Sequence, residues 1–243
     1  MDFESTASAI PPSRQRAIYN IKTNVYKDTL QIKFCQTEFF YKSYNLARIF
    51  LKAKKKGFFN MKTAGIFLID GFEETEALTT VDILRRGGVV VKIISLTGRS
   101  EVTSKNKIRV QTEELFDNAK NENFDMIIIP GGTLEVANHL GLRELIQKYH
   151  SEKKLIAAIC AAPAALGKAG ILHGITAVCY PGLESHLEGA IIGKNNVETD
   201  GNITTAKGPA ITPFFALKLL EILEGKAMAN EVAEGFLIPL ISR

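Results

Sequence analysis

The sequence lacks the features that are typical of membrane-spanning, secreted and disulfide-rich proteins. No apolar run approaches the ~20 residues that cross a bilayer, so we expect no membrane association. The amino terminus has no charged start, apolar core and small-residue cleavage site, so we expect no secretory signal. The three cysteines, Cys35, Cys160 and Cys179, show no CxxC spacing and no disulfide framework. We therefore expect free thiols in a reducing, cytoplasmic compartment.

Signs of a metal or nucleotide site are missing as well. The four histidines and three cysteines do not have the spacing of metal ligands. The segment Pro130–Thr133 contains two glycines but lacks the lysine and the spacing of a phosphate-binding loop. We therefore expect neither a metal nor another cofactor.

Charge is unevenly distributed along the chain. Residues 1–60 contain 11 Lys/Arg and 4 Asp/Glu, a net charge of +7, whereas residues 61–243 contain 19 and 22, a net charge of −3. A basic folded face would indicate nucleic-acid binding, but here the basic charge belongs to a leader. We therefore expect no nucleic-acid partner.

Residues 1–60 differ from the rest in composition too, and three interpretations stay open. They hold 11 of the 20 Phe and Tyr residues and show no alternation of strands and helices. We expect the leader to be disordered if it is translated. The first interpretation is a mis-called start, with Met61 as the initiator, because AT-rich DNA encodes mainly Lys, Asn, Ile, Phe and Tyr. The alternatives are an organelle-targeting peptide and an arm that binds a partner.

From Met61 onward, apolar strand-like runs alternate with amphipathic helical segments. Strands are predicted at 64–70, 89–96, 124–132, 154–160 and 175–182, helices at 72–86, 134–140, 142–152, 162–169, 211–223 and 226–235, and hairpins around Asn106 and Asp200–Gly201. Such alternation implies parallel strands joined by right-handed crossovers. We therefore predict one α/β domain over 61–243, a three-layer sandwich with a mainly parallel sheet.

Cys160 stands where a buried strand turns directly into an Ala-rich helix. A residue at such a sharp turn occupies a nucleophile elbow, which pushes its side chain out above the sheet. The nearby helix amino terminus is expected to lower the thiol pKa. The alternative is an inert core cysteine, which is common because free cysteine is often buried.

Two further segments follow strand ends and are expected to meet Cys160 at one edge of the sheet. Gly131 and Gly132 let backbone N–H groups approach a reacting atom, and with the amide of Ala161 they would form an oxyanion hole. Glu76 stands in the first turn of a helix and is followed by apolar residues. If it is buried, its carboxyl has a raised pKa and can exchange protons with the thiol.

Together "EETE", "PGG" and "AAICAAPAAL" resemble the ThiJ/PfpI family, and within it the Parkinsonism-associated branch of deglycase- and glyoxalase-like proteins. The resemblance covers about 61–241 and implies a flavodoxin-like or class I glutamine amidotransferase-like fold and a homodimer. It also implies that Cys160 is the reactive cysteine and that Glu76 hydrogen-bonds it.

Two departures from the family pattern limit the chemistry. Relatives that resemble intracellular proteases have His after the cysteine, where this chain has Ala161, so a peptidase is not expected. Many relatives have His before the proline that follows the next strand, where this chain has Tyr180. Tyr180 is expected to line the substrate pocket, and a histidine-dependent step would have to use His186.

Three functions remain open. The first is cofactor-independent detoxification of 2-oxoaldehydes or early glycation adducts, in which Cys160 is the nucleophile. The second is a redox-sensing stress-response protein or chaperone with an oxidisable Cys160. The third, an amidase or amidotransferase, would need a histidine beside Cys160.

Overall fold

The computed structural model describes residues 61–240, and all structural statements concern this part of the chain. The interpretations of residues 1–60 and of Cys35 lie outside it. Eleven strands are found, β1 (Thr63–Leu68), β2 (Val90–Ser95), β3 (Glu101–Thr103), β4 (Arg109–Gln111), β5 (Glu114–Leu115), β6 (Met126–Ile129), β7 (Leu155–Ile159), β8 (Thr176–Ala177), β9 (Ile191–Ile192), β10 (Val197–Asp200) and β11 (Ile203–Ala206). The α-helices are α1 (Glu74–Arg86), α2 (Phe116–Ala119), α3 (Leu140–Ser151), α4 (Pro163–Lys168), α5 (Thr212–Glu224) and α6 (Lys226–Gly235).

A seven-stranded sheet with the order β10-β11-β7-β6-β1-β2-β5 forms the centre of the domain. Its pairs are parallel except β10–β11, which is the predicted hairpin. The other predicted hairpin is β3–β4, which stands apart as a two-stranded sheet. The carboxyl ends of β1, β6 and β7 are therefore neighbours, and the three candidate segments follow these ends.

Helices cover both faces of the sheet, which confirms the predicted three-layer α/β sandwich. Successive residues of β6 point to opposite faces, because side chains alternate along a strand. Ile127 and Ile129 pack in the cluster that includes helix α3, whereas Met126 and Ile128 pack in the cluster that includes helices α1 and α5. Within residues 61–240 no helix has the length and apolar character needed to cross a membrane.

Helix α1 ends where its sequence predicts and begins at Glu74, two residues after the predicted start. The Glu73 side chain caps its first turn by accepting a hydrogen bond from Glu76 N at 3.0 Å. The helix ends at Arg86, followed by Gly87 at the C-cap and Gly88 with φ of +86°. A Cβ on Gly87 would lie 2.2 Å from Leu220 of α5, so glycine also permits close packing of the two helices.

Two predicted elements differ from the structure. Residues 134–138 form a 3₁₀ helix rather than an α-helix, because His139 is extended and caps α3 through its Nδ1 atom. The predicted strand at 175–182 is reduced to β8, which pairs with β9 outside the main sheet. Beyond it, Val178 N donates to Thr205 Oγ1 instead of joining a regular ladder.

Candidate active site

Cys160 follows β7 in a left-handed backbone conformation with φ of +66°. This conformation is strained for a residue with a Cβ atom and is typical of a nucleophile elbow. Two backbone hydrogen bonds hold it, from Cys160 N to Ala206 O at 2.9 Å and from Tyr180 N to Cys160 O at 2.8 Å. The elbow predicted from the sequence is therefore present, but its side chain is not pushed into solvent, because Cys160 is only 8% exposed.

Glu76 of helix α1 is fully buried beside Cys160, with 0% of its surface exposed. Its Oε2 atom accepts a hydrogen bond from Gly131 N at 2.7 Å. Its Oε1 atom is buried and has no hydrogen-bond partner among the described residues. The Cys160 thiol and this carboxyl each shift the pKa of the other, so the two side chains form an interacting pair.

Both glycines after β6 are required by close approach of backbone to backbone. A Cβ on Gly131 would lie 2.7 Å from both Ala161 N and Cys160 Cβ. Gly132 has φ of +100°, and a Cβ there would lie 2.4 Å from Gly71 O and from Glu73 N. The structure therefore admits no side chain at either position without displacing the elbow or the start of α1.

The three backbone N–H groups that were predicted to form an oxyanion hole have two different roles in the structure. The N–H groups of Gly132 and Ala161 act on the Cys160 thiol and oppose the rise of its pKa. The N–H of Gly131 is donated to Glu76 and is not free to stabilise an oxyanion. Gly131 therefore orients the carboxyl, while Gly132 and Ala161 are the donors available to charge on or next to the sulfur.

Burial shifts the titration of both side chains in the pair. It raises the pKa of Glu76 to about 7, an effect that the hydrogen bonds from Cys160 and Gly131 only partly offset. Burial and the neighbouring Glu76 carboxylate raise the pKa of Cys160 to about 12, although the N–H groups of Gly132 and Ala161 oppose the shift.

The predicted lowering of the Cys160 pKa by a helix terminus is therefore wrong in direction. Helix α4 starts three residues later, at Pro163, and contains only six residues, so its dipole is too small to offset desolvation. At neutral pH the thiol is protonated, and Glu76 titrates in the range of a general base.

Tyr180 lies beside the elbow, and 49% of its surface is exposed. Its backbone bonds to Cys160, and its ring packs on the backbone of Gly208, where a Cβ would lie 3.2 Å from Tyr180 Cδ2.

No histidine acts on the Cys160 thiol in the described part of the chain, and His186 is exposed in a 3₁₀ turn. The structure thus offers no Cys–His pair.

The hairpin β3–β4 reaches this site, which sequence reasoning missed. Lys105 N donates to Phe72 O at 2.8 Å, and Asn106 Nδ2 donates to Glu74 Oε1 at 2.6 Å. Lys105 also acts electrostatically on Glu76. The sequence predicts the hairpin but contains no signal for where its tip docks. Over residues 61–240 no cluster of three or more His, Cys, Asp or Glu side chains is arranged to hold a metal ion.

Comparisons with known proteins agree with the fold. The model of the DJ-1/PfpI family matches residues 62–222. The chain is 34% identical to Protein dj-1beta of Drosophila melanogaster over 73% of this chain and 97% of that protein. It is 32% identical to the Parkinson disease protein 7 homolog of Danio rerio over 70% of this chain and 94% of that protein.

Solved structures give the same result. The crystal structure of Drosophila melanogaster DJ-1beta superposes with a TM-score of 0.70 at 33% identity, covering 73% of this chain and 98% of that one. Toxoplasma gondii DJ-1, in a structure described as oxidized, superposes with a TM-score of 0.70 at 32% identity, covering 72% and 98%. The chain therefore belongs to the DJ-1/PfpI family.

Proposed function

We propose that the chain is a cofactor-independent enzyme that uses Cys160 to convert small 2-oxoaldehydes, such as methylglyoxal, into hydroxy acids. One observation carries the proposal: a strained cysteine is paired with a fully buried carboxyl whose pKa is raised to about 7. A general base is most effective when its pKa lies near the working pH.

In the first step Glu76 takes the thiol proton while the Cys160 sulfur attacks the aldehyde carbon. The S–C bond forms, the C=O π bond breaks, and the negative charge collects on the oxygen. The N–H groups of Gly132 and Ala161, which act on the thiol at rest, are the nearest donors to that oxygen. Glu76 then returns the proton to the oxygen, which completes a hemithioacetal.

In the second step the Glu76 carboxylate removes the proton from the former aldehyde carbon. The electron pair forms a C=C bond, and the neighbouring ketone becomes an enediolate. Glu76 returns the proton to the ketone carbon, and the hydroxyl proton on the former aldehyde carbon passes to the neighbouring oxygen. The former aldehyde carbon thereby becomes the carbonyl of a thioester of lactate. Water then adds to the thioester carbonyl, the S–C bond breaks, and the thiol regains its proton. Methylglyoxal and water give lactic acid, so no external oxidant or reductant is needed.

Early glycation adducts enter the same sequence one step later. When the aldehyde carbon is already bound to a nitrogen of Lys or Arg, the S–C bond forms as the C–N bond breaks. The thiol proton passes through Glu76 to the departing nitrogen. The resulting hemithioacetal is the one that free methylglyoxal gives, so deglycation and aldehyde removal share their later steps.

The test is lactate production from methylglyoxal by the wild-type chain, Cys160→Ser and Glu76→Gln. We expect lactate from the wild type and a loss of at least a hundredfold in each variant, in line with the ~10²–10⁴-fold contribution of general acid–base catalysis. Equal rates in all three proteins would refute the proposal.

Light scattering on the same samples tests the proposed homodimer.

A second candidate function is oxidation sensing, because the Gly132 and Ala161 N–H groups that act on the thiol would also stabilise a sulfinate. Two equivalents of hydrogen peroxide would convert the thiol to a sulfinic acid and two waters. The raised pKa of Cys160 disfavours this function, because the thiolate is the form that reacts. Intact mass after mild peroxide treatment decides: a gain of two oxygen atoms on Cys160 supports it, and an unmodified thiol refutes it.

A further inference from the structure

A groove beside the edge strand β10 contains none of the residues of the candidate active site. It lies between β10 and the helices α5 and α6, and its volume is about 530 Å³. Sites that bind small molecules typically have volumes of roughly 300–1,000 Å³. The groove is therefore large enough for a small ligand, and the side chains that line it indicate which kind.

The floor of the groove is apolar and partly open to solvent. Phe214 and Leu217 lie on one face of α5, where Phe214 remains 39% exposed. Val197 of β10 and Ala229 and Ala233 of α6 complete the apolar surface. A hydrocarbon chain that filled the groove would leave water together with this surface, which is favourable.

One positive charge at the groove is not compensated. Lys218 and Glu221 also line it, but Lys218 Nζ lies 3.2 Å from Glu221 Oε2, so these two charges neutralise each other. In the part of the chain that the structure describes, the exposed ammonium of Lys226 has no ion-pair partner and the exposed side-chain amide of Asn230 has no hydrogen-bond partner. Lys226 and Asn230 are one turn apart and lie on the same face of α6.

The free charge and the aromatic ring stand at opposite ends of the groove. Lys226 begins α6 directly after the end of α5, whereas Phe214 lies in the first turn of α5. From Phe214 to its end at Glu224, helix α5 spans ~15 Å at ~1.5 Å per residue. An extended ligand with a charge at one end and hydrocarbon along the rest matches this arrangement.

We propose that this groove binds small aliphatic carboxylates, with the carboxylate paired to Lys226 and Asn230 and the hydrocarbon chain laid over Leu217 and Phe214. The unpaired ammonium selects an anion, and its being a single charge selects a ligand with one charged group rather than a polyanion. The groove is separate from Cys160, so its occupancy does not depend on the enzyme function proposed above.

The probes are octanoate and 1-octanol, which share a hydrocarbon chain but differ in charge, and acetate, which has the charge without the chain. Each is titrated into the full chain, and dissociation constants are taken from the methyl NMR resonances of Val197, Leu217 and Ala229, which line the groove. We expect saturable shifts of these resonances with octanoate and none with acetate. Octanoate should bind about two- to fivefold more tightly than 1-octanol, the strength of one exposed ion pair.

Two lysine variants remove the same charge at different places. Lys226→Gln is expected to abolish the preference for octanoate over 1-octanol. Lys148→Gln changes an exposed lysine of α3, which packs on the opposite face of the sheet from α5, and is expected to keep the preference. A third variant, Ala233→Phe, fills the groove and is expected to prevent saturable binding of both probes.

Equal affinities of the wild type for octanoate and 1-octanol, or an unchanged preference in Lys226→Gln, overturn the inference. Saturable octanoate binding that persists in Ala233→Phe, or its absence in the wild type, does the same. Groove resonances that shift with protein concentration rather than with the probe would show that a second copy of the chain occupies the groove, and this result also overturns the inference.

Discussion

Replacing Glu76 by Gln should change how the stability of the domain depends on pH. Burial raises the pKa of Glu76 from 4.5 to about 7, so the folded state retains a proton that the unfolded state has lost. This contribution to stability is fully present below pH ~4.5 and is lost as pH rises through 7. Between pH 5 and pH 8 the loss amounts to roughly 2–3 kcal/mol.

Glu76→Gln removes the titrating group but keeps the shape and the oxygen that accepts from Gly131. We therefore expect the free energy of unfolding of Glu76→Gln to rise by roughly 2–3 kcal/mol relative to that of the wild type between pH 5 and pH 8. Urea unfolding followed by far-UV circular dichroism at several pH values measures the difference. Glu144→Gln, which changes an exposed carboxyl on α3, serves as the matched control and should stay parallel to the wild type. Parallel curves for Glu76→Gln as well would refute the raised pKa.

Three further predictions concern the elbow and its surroundings. Gly132→Ala should lower the free energy of unfolding in urea by about 3 kcal/mol. Gly98 also has positive φ, but nothing lies within 4 Å of an added Cβ, so Gly98→Ala should cost about 1 kcal/mol. Equal losses would contradict the close packing at Gly132. Cys160→Gly should be about 1 kcal/mol more stable than Cys160→Ala, because glycine adopts positive φ without strain; the reverse order would show that the elbow is unstrained. Glu76→Gln removes a carboxylate that raises the Cys160 pKa, so it should accelerate alkylation of Cys160 by iodoacetamide at pH 8, by about tenfold for each unit by which the thiol pKa falls. Peptide mass spectrometry measures the alkylation rate. An unchanged rate would mean that Glu76 does not act on the thiol.

The fold could be predicted from local patterns because each pattern has one physical solution. A short all-apolar run that is closed by a proline and two glycines, such as Met126–Ile129, favours a strand that is covered on both faces. Two glycines after an amphipathic helix end it, as Gly87 and Gly88 do. The strand predicted at 175–182 is shorter in the structure, where only Thr176–Ala177 form β8. Beyond β8 the backbone bonds to a distant segment, as in the hydrogen bond from Val178 N to the Thr205 side chain, and local sequence does not reveal such a contact.

The residues of the candidate site could be identified from the sequence, whereas the direction of their pKa shifts required the structure. Adjacent strand ends were enough to bring Cys160, Glu76 and Gly132 together, because parallel strands end at one edge. The direction of the Cys160 pKa shift could not be predicted from the sequence, because it depends on how far the sulfur is desolvated and on its distance to the Glu76 carboxylate. The role of Gly131 was equally hidden, because the sequence does not reveal which acceptor its N–H meets.

The most direct measurement is an NMR titration of the Glu76 carboxyl carbon in the ¹³C-labelled chain, with the resonance assigned by its loss in Glu76→Gln. We predict a midpoint at about pH 7, where this carboxyl can accept the proton of Cys160 and return it to substrate. A midpoint near ~4.3, the value of a solvated glutamate, would contradict the pairing of these two side chains as nucleophile and base.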